Sequence, residues 1–333
     1  MKRCLITGGC GFIGSNLTKE LVRLGWQVDI VDDMSNGHTE NLDSLDTKYF
    51  QTAQSFYFEK SDGRKQNQVY VAISDFVDPY IRLSVQNKDY DVVFHQAAIP
   101  RVEYSVQRPV LTTEANIGKT IDLFDCVAKN KIIKRIVWAS SSSVYGGADI
   151  LPTPETCAKN PKSPYAWQKS AIEDYAKMAK DLYGLEIVCL RYFNVFGHGQ
   201  YGDSPYSTAV SAWCHAIKNG LECRSDGDGE QSRDMNYVDN VVQANILAAN
   251  SEKDLSGECF NIACGERVTN NEILDALKHR LGGKVKVRNA PERPGDVKHT
   301  QADITKAKEI LGYEPTVYFW EGLEKTLEWW GLH

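Results

Sequence analysis

No two cysteines of this sequence stand at C-x-x-C spacing, histidine and cysteine do not cluster at metal-ligand intervals, and no segment repeats. These absences disfavour a zinc ribbon, a thiol redox pair and a solenoid, and no metal is expected. The nine cysteines, at 4, 10, 126, 157, 189, 214, 223, 259 and 264, are scattered and odd in number. Reduced thiols in a cytoplasmic protein fit that usage better than a disulfide framework. Long hydrophobic runs are missing too. None approaches the roughly 18 residues of a membrane helix, and a strand-like run opens almost at Met1, so neither a membrane span nor a signal peptide is expected. Positive charge is outnumbered, 38 Lys and Arg against 44 Asp and Glu, for a net charge of −6. Nucleic acid and anionic membrane are therefore poor partners, and an anionic small molecule would need local basic residues. What is present is an ordinary globular composition, 42% hydrophobic and 25% charged over 333 residues, enough for one large core or two smaller ones.

The chain is organised around its opening stretch, KRCLITGGCGFIGSNL. Cys4-Leu5-Ile6 reads as a buried strand, and Gly8, Gly11 and Gly14 carry it into an amphipathic helix. Such a turn suits phosphate. Gly8 and Gly11 allow backbone angles and a close approach that a Cβ would block, and Gly14 lets the helix pack on the strand. The helix start then offers N–H groups and the positive end of its dipole to a pyrophosphate. Gly9, Gly11 and Gly14 also match G-x-G-x-x-G, a weak signal alone among 25 glycines. Context strengthens it: 27–31 reads as a second strand ending at Asp32, 18 residues past Gly14. A carboxylate there accepts adenosine ribose hydroxyls and, with Asp33 beside it, repels a 2′-phosphate. NAD rather than NADP is the expected cofactor, the alternative being an ordinary tight turn and a surface Asp.

Between Gly37 and Tyr70 the pattern dissolves into a polar stretch with aromatics. It reads as an insertion or surface excursion, about 44–68, whose aromatics pack locally rather than hold a ligand. A third strand follows at 69–73, then Asp75 and a helix from Pro79 to about Gln86. A fourth strand, 91–95, runs into Gln96-Ala97-Ala98, where small residues permit close approach of a cofactor. One long helix is expected over 109–129 with Ile117, Ile121, Phe124 and Ala128 on its inward face, and a fifth strand over 136–139. This alternation predicts an α/β fold, a Rossmann-like doubly wound parallel sheet with ligands at the carboxyl ends of its strands. After Leu190 the alternation loosens. An NAD-binding domain over 1–190, with the chain crossing back near 238–250, and a smaller C-terminal α/β substrate domain over 191–333 are expected. The tail, 322–330, predicts an amphipathic helix with Leu323, Leu327 and Trp330 inward and Trp329 in the core or on a contact surface.

At the end of the fifth strand stands SSSSVYG, Ser140 to Gly146, and SPYAWQK, 163–169, opens another helix. Tyr165 and Lys169 are four apart and share a helical face. An ammonium there stabilises a phenolate and lowers the tyrosine pKa toward neutrality, so Tyr165 is a candidate general base, while a strand-end serine can bond the same substrate oxygen. About one Y-x-x-x-K arises by chance in a chain this rich in tyrosine; the glycine turn, Asp32 and the serine run make it specific. Arg233 and Arg293 adjoin glycine-rich turns in an acidic protein and suit phosphate as a pair, although either alone reads as a surface ion pair. His198, in a glycine-rich loop, reads as a solvated histidine.

Together these motifs resemble the extended short-chain dehydrogenase/reductase family, and within it the UDP-hexose 4-epimerases. The resemblance covers nearly the whole chain, through TGGCGFIG, VDD, HQAA, Asn116, SSSSVYG, YAWQK, LRYFNVFG at 190–197, GDGEQSRDMNYVDN at 227–240 and ERPGDVKHTQAD at 292–303, with the 44–68 insertion as the main departure. It implies Tyr165 as catalytic base, Lys169 on the nicotinamide ribose and Ser141 on the sugar 4-hydroxyl. The NAD site it implies comprises Gly8, Gly11, Phe12, Ile13, Gly14, Asp32, Asn36, Asp75, Phe76, Ala97, Asn116 and Tyr192 with Tyr165 and Lys169; Asp75 and Phe76 would meet the adenine and Asn36 the adenosine ribose. The substrate site it implies comprises Ser141, Ser142, Ser143, Asn194, Arg233, Arg293, Asp296 and Thr300. Asn194, Arg233 and Arg293 would hold the nucleotide diphosphate, and Asp296 a uridine ribose hydroxyl. A homodimer through the helices near 109–129 and 165–183 is also implied.

Within that family the serine run separates sibling reactions. Sugar-nucleotide 4,6-dehydratases carry Thr-Asp-Glu where this chain has Ser141, Ser142 and Ser143, so no acid stands ready to protonate a leaving hydroxyl. Uronate decarboxylases tend to have Glu in place of Ser143, and glucuronate epimerases tend to bring Arg near the position of Glu103, where a carboxylate repels a uronate. Relatives with a bulky tyrosine in place of Thr300 crowd a 2-acetamido group. The expected activity is 4-epimerisation of UDP-GlcNAc and UDP-GalNAc, with UDP-glucose and UDP-galactose also accepted. UDP-glucuronate 4-epimerisation or decarboxylation, a dehydrogenase releasing NADH, and a non-catalytic NAD-binding sensor or scaffold are the alternatives; Ser141, Tyr165 and Lys169 together argue against the last.

Overall fold

Short apolar runs bounded by glycine or charge build the sheet of this protein, seen in a computed structural model that describes residues 1–59, 64–100, 102–130, 132–203, 207–292 and 297–333. The elements are β1 (Arg3–Thr7), α1 (Phe12–Arg23), β2 (Gln27–Asp32), β3 (Thr47–Phe50), α2 (Ala53–Phe58), β4 (Val69–Ile73), α3 (Pro79–Asn87), β5 (Val92–His95), α4 (Val102–Gln107), α5 (Pro109–Thr113), α6 (Lys119–Lys129), β6 (Arg135–Ser141), α7 (Pro164–Tyr183), β7 (Ile187–Tyr192), β8 (Asn194–Phe196), α8 (Ala209–Lys218), β9 (Glu222–Asp226), β10 (Ser232–Arg233), β11 (Met235–Tyr237), α9 (Val238–Asn250), β12 (Cys259–Ile262), β13 (Val268–Thr269), α10 (Asn270–Leu281), β14 (Lys286–Ala290), α11 (Thr305–Leu311) and α12 (Phe319–Trp330). They fall into two compact units: 1–140, 163–190 and 244–259 form the first, and 141–162, 191–243 and 260–333 the second. No helix among the described residues is long and apolar enough to cross a membrane, and all nine cysteines are free thiols.

The main sheet runs β12-β7-β6-β5-β1-β2-β4-β3, with parallel pairing from β6 across to β3. Cys4, Leu5 and Ile6 of β1 are fully buried, which is why β1 reads as an unbroken apolar run rather than an alternating one. Because β1 lies between β2 and β5, the order of strands reverses there, and the carboxyl end of β1 is the switch point at which such sheets take ligands. On the sheet packs α7, whose start is fixed by Ser163, accepting from the Ala166 N–H at 3.2 Å, and by Pro164 at its first position.

Two expectations are corrected. The segment read as a surface excursion supplies the edge strand: β3 pairs in parallel with β4, from Thr47 opposite Val69 to Phe50 opposite Ala72. Phe50 and Phe56 are buried against Tyr70, and Arg64 reaches back to the buried Asp29 at 2.6 Å, a partner it shares with Arg3 at 2.8 Å. The single helix expected over 109–129 is broken into α5, a π-helical turn over Glu114–Gly118, and α6. The extra residue in that turn rotates the inward face. Leu123, Phe124 and Val127 are buried, while Ile117 and Ile121 are only partly so.

In the second unit short pieces replace the long sheet. β8 with β11 and β9 with β14 form parallel pairs, and β10 with β13 an antiparallel one. α10 opens on a capping box of Thr269 and Glu272. Leu323, Leu327 and Trp330 of α12 are buried, and Trp329 packs edge-on against Tyr201 at 5.9 Å.

Candidate active site

In the first unit the glycine turn follows β1 directly. Gly8 has φ +72°, and a Cβ on it would lie 2.8 Å from the Ala97 nitrogen; a Cβ on Gly14 would lie 2.1 Å from the Gly8 carbonyl oxygen. Both positions therefore exclude side chains, and Ala97 is the residue that closes on the turn. Gly11 is less constrained, its Cβ direction meeting only the Gly8 oxygen at 3.3 Å. Gly11 is the N-cap of α1, no side chain caps it, and the first turn holds no acid. No side chain thus competes with an anion for the first N–H groups of α1, around Phe12 and Ile13.

Asp32 ends β2 with its carboxylate accepting from the Cys10 N–H at 2.9 Å and the Met34 N–H at 2.9 Å. Burial raises its pKa while those two donors lower it. Strand end and phosphate turn are thereby tied together, and Asn41, which donates to the Cys10 carbonyl at 2.9 Å, adds a tie with no motif to announce it. Asn36 is exposed nearby in sequence. Asp75 pairs with Lys119 and accepts from the Val77 N–H at 3.2 Å, and Phe76 meets His95 edge-on at 5.1 Å. A vacated Cβ cradle, an uncapped helix start and a carboxylate at the second strand end fit a dinucleotide.

Tyr165 and Lys169 come together as expected from their spacing. Tyr165 is 8% exposed, with its N–H held by Ser105 Oγ at 3.1 Å. Lys169 Nζ donates to the Ala139 carbonyl of β6 at 2.7 Å and lies 5.7 Å from the Tyr165 ring centre. Burial pulls the Lys169 pKa down to about 7. Asn116, in the π-helical turn, is buried and bonds both backbone groups of Ile99, at 2.8 and 3.0 Å. It also donates to Gln168 Oε1 at 2.8 Å. Gln168 in turn donates to Thr112 Oγ1 at 3.0 Å and Thr113 Oγ1 at 3.1 Å. Asn116 thus braces the loop beyond Ala97 against α7. Ser105, Gln168 and the two threonines carry no signal in the sequence because their partners lie 55 to 60 residues away.

In the second unit Ser141 caps a short turn, Ser142–Tyr145, by accepting from the Ser143 N–H at 3.2 Å. Ser143 Oγ is buried without a partner among the described residues. Asn194 and Thr300 are brought together, Asn194 Nδ2 donating to Thr300 Oγ1 at 3.4 Å. Between them runs the backbone of Asp234, which takes a bond from the Asn194 N–H at 3.2 Å and gives one to Thr300 Oγ1 at 3.3 Å. The Asp234 side chain, fully buried, accepts from the N–H groups of Cys264, Gly265 and Ala302, each at 3.0 Å. Burial pushes its pKa up to about 7 against those donors. Arg233 is anchored on the carbonyls of Ser232 at 3.0 Å and Lys298 at 3.1 Å. Tyr192, 8% exposed, ends β7. Arg293 and Asp296 lie outside the described residues. His198 lies in its loop with the side chain 32% exposed, and its Nδ1 is 2.9 Å from the Tyr237 hydroxyl.

A model of the family described as GDP-mannose 4,6 dehydratase matches residues 5–326. The UDP-glucose 4-epimerase of Mycolicibacterium smegmatis is 32% identical over 331 residues, spanning 98% of this chain and 97% of its own. Among solved structures, the UDP-N-acetylglucosamine 4-epimerase from Methanobrevibacter ruminantium M1, in complex with UDP-N-acetylmuramic acid, aligns with TM-score 0.86 and 35% identity over 98% of this chain and 97% of that one. The UDP-glucuronic acid 4-epimerase from Bacillus cereus, in complex with UDP-glucuronic acid and NAD, aligns with TM-score 0.84 and 28% identity over 99% of each chain.

Proposed function

The chain belongs to the GDP-mannose 4,6 dehydratase family of extended short-chain dehydrogenases/reductases, and from that premise we propose that it is an NAD-dependent UDP-sugar 4-epimerase acting on UDP-GlcNAc and UDP-GalNAc and accepting UDP-glucose and UDP-galactose. The observation that carries the reaction is a tyrosine–lysine pair on α7 combined with serine at all three of 141–143. A base is present, and the acid that dehydration needs is not.

In this reading Tyr165, as phenolate, takes the proton of the sugar C4 hydroxyl and returns it once the opposite face of C4 is reduced. Lys169 holds positive charge beside that phenolate, and Ser141 bonds the same sugar oxygen. Bound NAD would supply a reversible hydride acceptor at C4, so that the sugar would pass through a 4-keto form with no net oxidation. The turn at Gly8, Gly11 and Gly14 with the start of α1 holds the pyrophosphate, and Asp32 takes the adenosine ribose hydroxyls. Asn194, Arg233 and Arg293 hold the substrate diphosphate firmly, with Asp296 on the uridine ribose, while the hexose is held loosely enough to turn over. The small Thr300 supports acceptance of the N-acetyl group. A cytoplasmic homodimer completes the reading. It is supported by free thiols throughout and by Trp167, Met178 and Tyr183, all exposed on α7.

The test is incubation of the purified protein, without added NAD, with UDP-GlcNAc, UDP-glucose and UDP-glucuronate separately, followed by proton NMR. The galacto epimers of the first two are expected, with UDP-glucuronate unchanged. Turnover of UDP-glucuronate alone would replace the hexose reading with the uronate one, and no turnover even after NAD is supplied would leave a binding protein.

A further inference from the structure

Helix α7 carries one buried acid on its inward side. Glu173 lies four residues past Lys169 and eight past Tyr165, so the three side chains form one stripe along α7. Glu173 is fully buried, and Ser140 Oγ donates to its Oε1 at 2.7 Å. The residue before Ser140 on β6 is Ala139, whose carbonyl receives Lys169 Nζ at 2.7 Å. Neighbouring residues of β6 therefore fasten successive turns of α7, one through a cation and the next through an anion. A carboxylate at that depth is strongly destabilising unless charge and hydrogen bonds answer it, and filling the space would need no charge.

We propose that Glu173 is a positioning residue of the reaction, keeping Lys169 an ammonium ion at the place from which its charge stabilises the Tyr165 phenolate. This rests on the reading of Tyr165 as the proton-transfer group. The groups facing Lys169 support it. Burial works against the ammonium, and Cys189 on β7 and Glu173 on α7 work for it. Of the two, Glu173 is the carboxyl group, one helical turn from Lys169 on the same face of α7. His95 on β5 adds no opposing positive charge: burial lowers its pKa to about 3, and its ring nitrogens sit 2.6 Å from Thr7 Oγ1 and 3.0 Å from Thr120 Oγ1. With Lys169 brought by burial to about 7, near neutrality, loss of a neighbouring carboxyl charge shifts it toward the uncharged amine.

The experiment uses the full chain. The Tyr165 phenolate is titrated by ultraviolet difference between each protein and its Tyr165→Phe counterpart, which needs no sugar, and the pH dependence of turnover is recorded alongside. Glu173→Gln is expected to move the phenolate titration up by about one pH unit and to lower kcat at neutral pH about tenfold, with KM within about twofold. Ser140→Ala is expected to move it the same way by roughly a third as much, since the charge stays and only its anchor is lost. A Glu173→Gln protein that titrates like the parent and merely unfolds at a lower temperature overturns the proposal. Should Glu173→Gln fail to fold, Ser140→Ala decides, and an unmoved titration there overturns it as well. A parent that epimerises no UDP-sugar while the titration shifts as expected sinks the functional reading and leaves the role of Glu173 standing.

Discussion

The glycine turn of the first unit and the Asp234 network of the second hold their candidate site residues by opposite means. In the first, a single turn is shaped by exclusion: a Cβ at Gly14 has nowhere to go, 2.1 Å from the Gly8 oxygen, and the residues concerned are near neighbours in sequence. In the second, Asn194 and Thr300 stand 106 residues apart and are joined through Asp234, whose carboxylate collects N–H groups 30, 31 and 68 residues away. Exclusion tolerates no substitution and leaves a motif behind. A polar network weakens by degrees and leaves almost none.

The largest expected effect tests the first half of that contrast. Gly14→Ala must open the turn, a strain of about 3 kcal/mol or about a hundredfold in NAD affinity, to be read as NAD content of the purified protein and by titration. Gly11→Ala, with its Cβ direction at 3.3 Å from the nearest atom, should lose about tenfold at most. Equal losses from the two would remove the distinction between excluded and merely crowded glycines. On the other side, Asp234→Ala strands three N–H groups, two of them buried, and should reduce unfolding free energy in urea by about 3 kcal/mol.

Asp234 also carries a pH signature. Its folded pKa, raised by burial to about 7, means that the native protein keeps a proton the unfolded chain has released. Its contribution to stability therefore falls as pH climbs from about 4 to 7, by up to about 1.4 kcal/mol per unit. Asp234→Asn should flatten that slope, and an unchanged slope would show the carboxylate is ionised in place.

The same contrast explains what could be read in the sequence. β1, β2, β4, β5 and β6 were legible because strands buried on both faces read as continuous apolar runs, and Tyr165 and Lys169 because one helix fixes both. β3 was not: at the sheet edge Lys48 is exposed, Thr47 and Tyr49 are partly so, and only Phe50 is buried. The π-helical turn at 114–118 hides within a helical pattern that continues on either side: Phe124 is buried as the pattern implies, while Ile117 and Ile121 are only partly so. Asn116 was legible by resemblance, but its partners at Ile99 and Gln168 were not. In the second unit Arg233, Asn194 and Thr300 are named by resemblance, whereas Asp234 looks like any acid beside an arginine until the fold brings Cys264 and Ala302 to it.

A side chain at Thr300 tests whether the network leaves the room that exclusion denies. Thr300→Tyr should lower turnover of UDP-GlcNAc by about 2 kcal/mol, roughly thirtyfold, and change UDP-glucose by less than about threefold. Full activity on both sugars would mean that this position does not face the 2-acetamido group.

The smallest effect is expected where the two means coincide. Asp32 is proposed to discriminate by charge, yet it is also built into the excluded turn through the Cys10 and Met34 N–H groups. Asp32→Asn keeps an acceptor for those donors and removes the charge, so the turn should survive and only the preference for NAD over NADP should fall. The fall should stop near tenfold, about 1.4 kcal/mol, because Asp33 still sets a carboxylate beside a 2′-phosphate. Competition between the two cofactors measures it. If preference is untouched, Asp33 carries the discrimination and Asp32 belongs to the architecture of the turn; if NAD binding collapses with it, charge and shape are inseparable at this strand end.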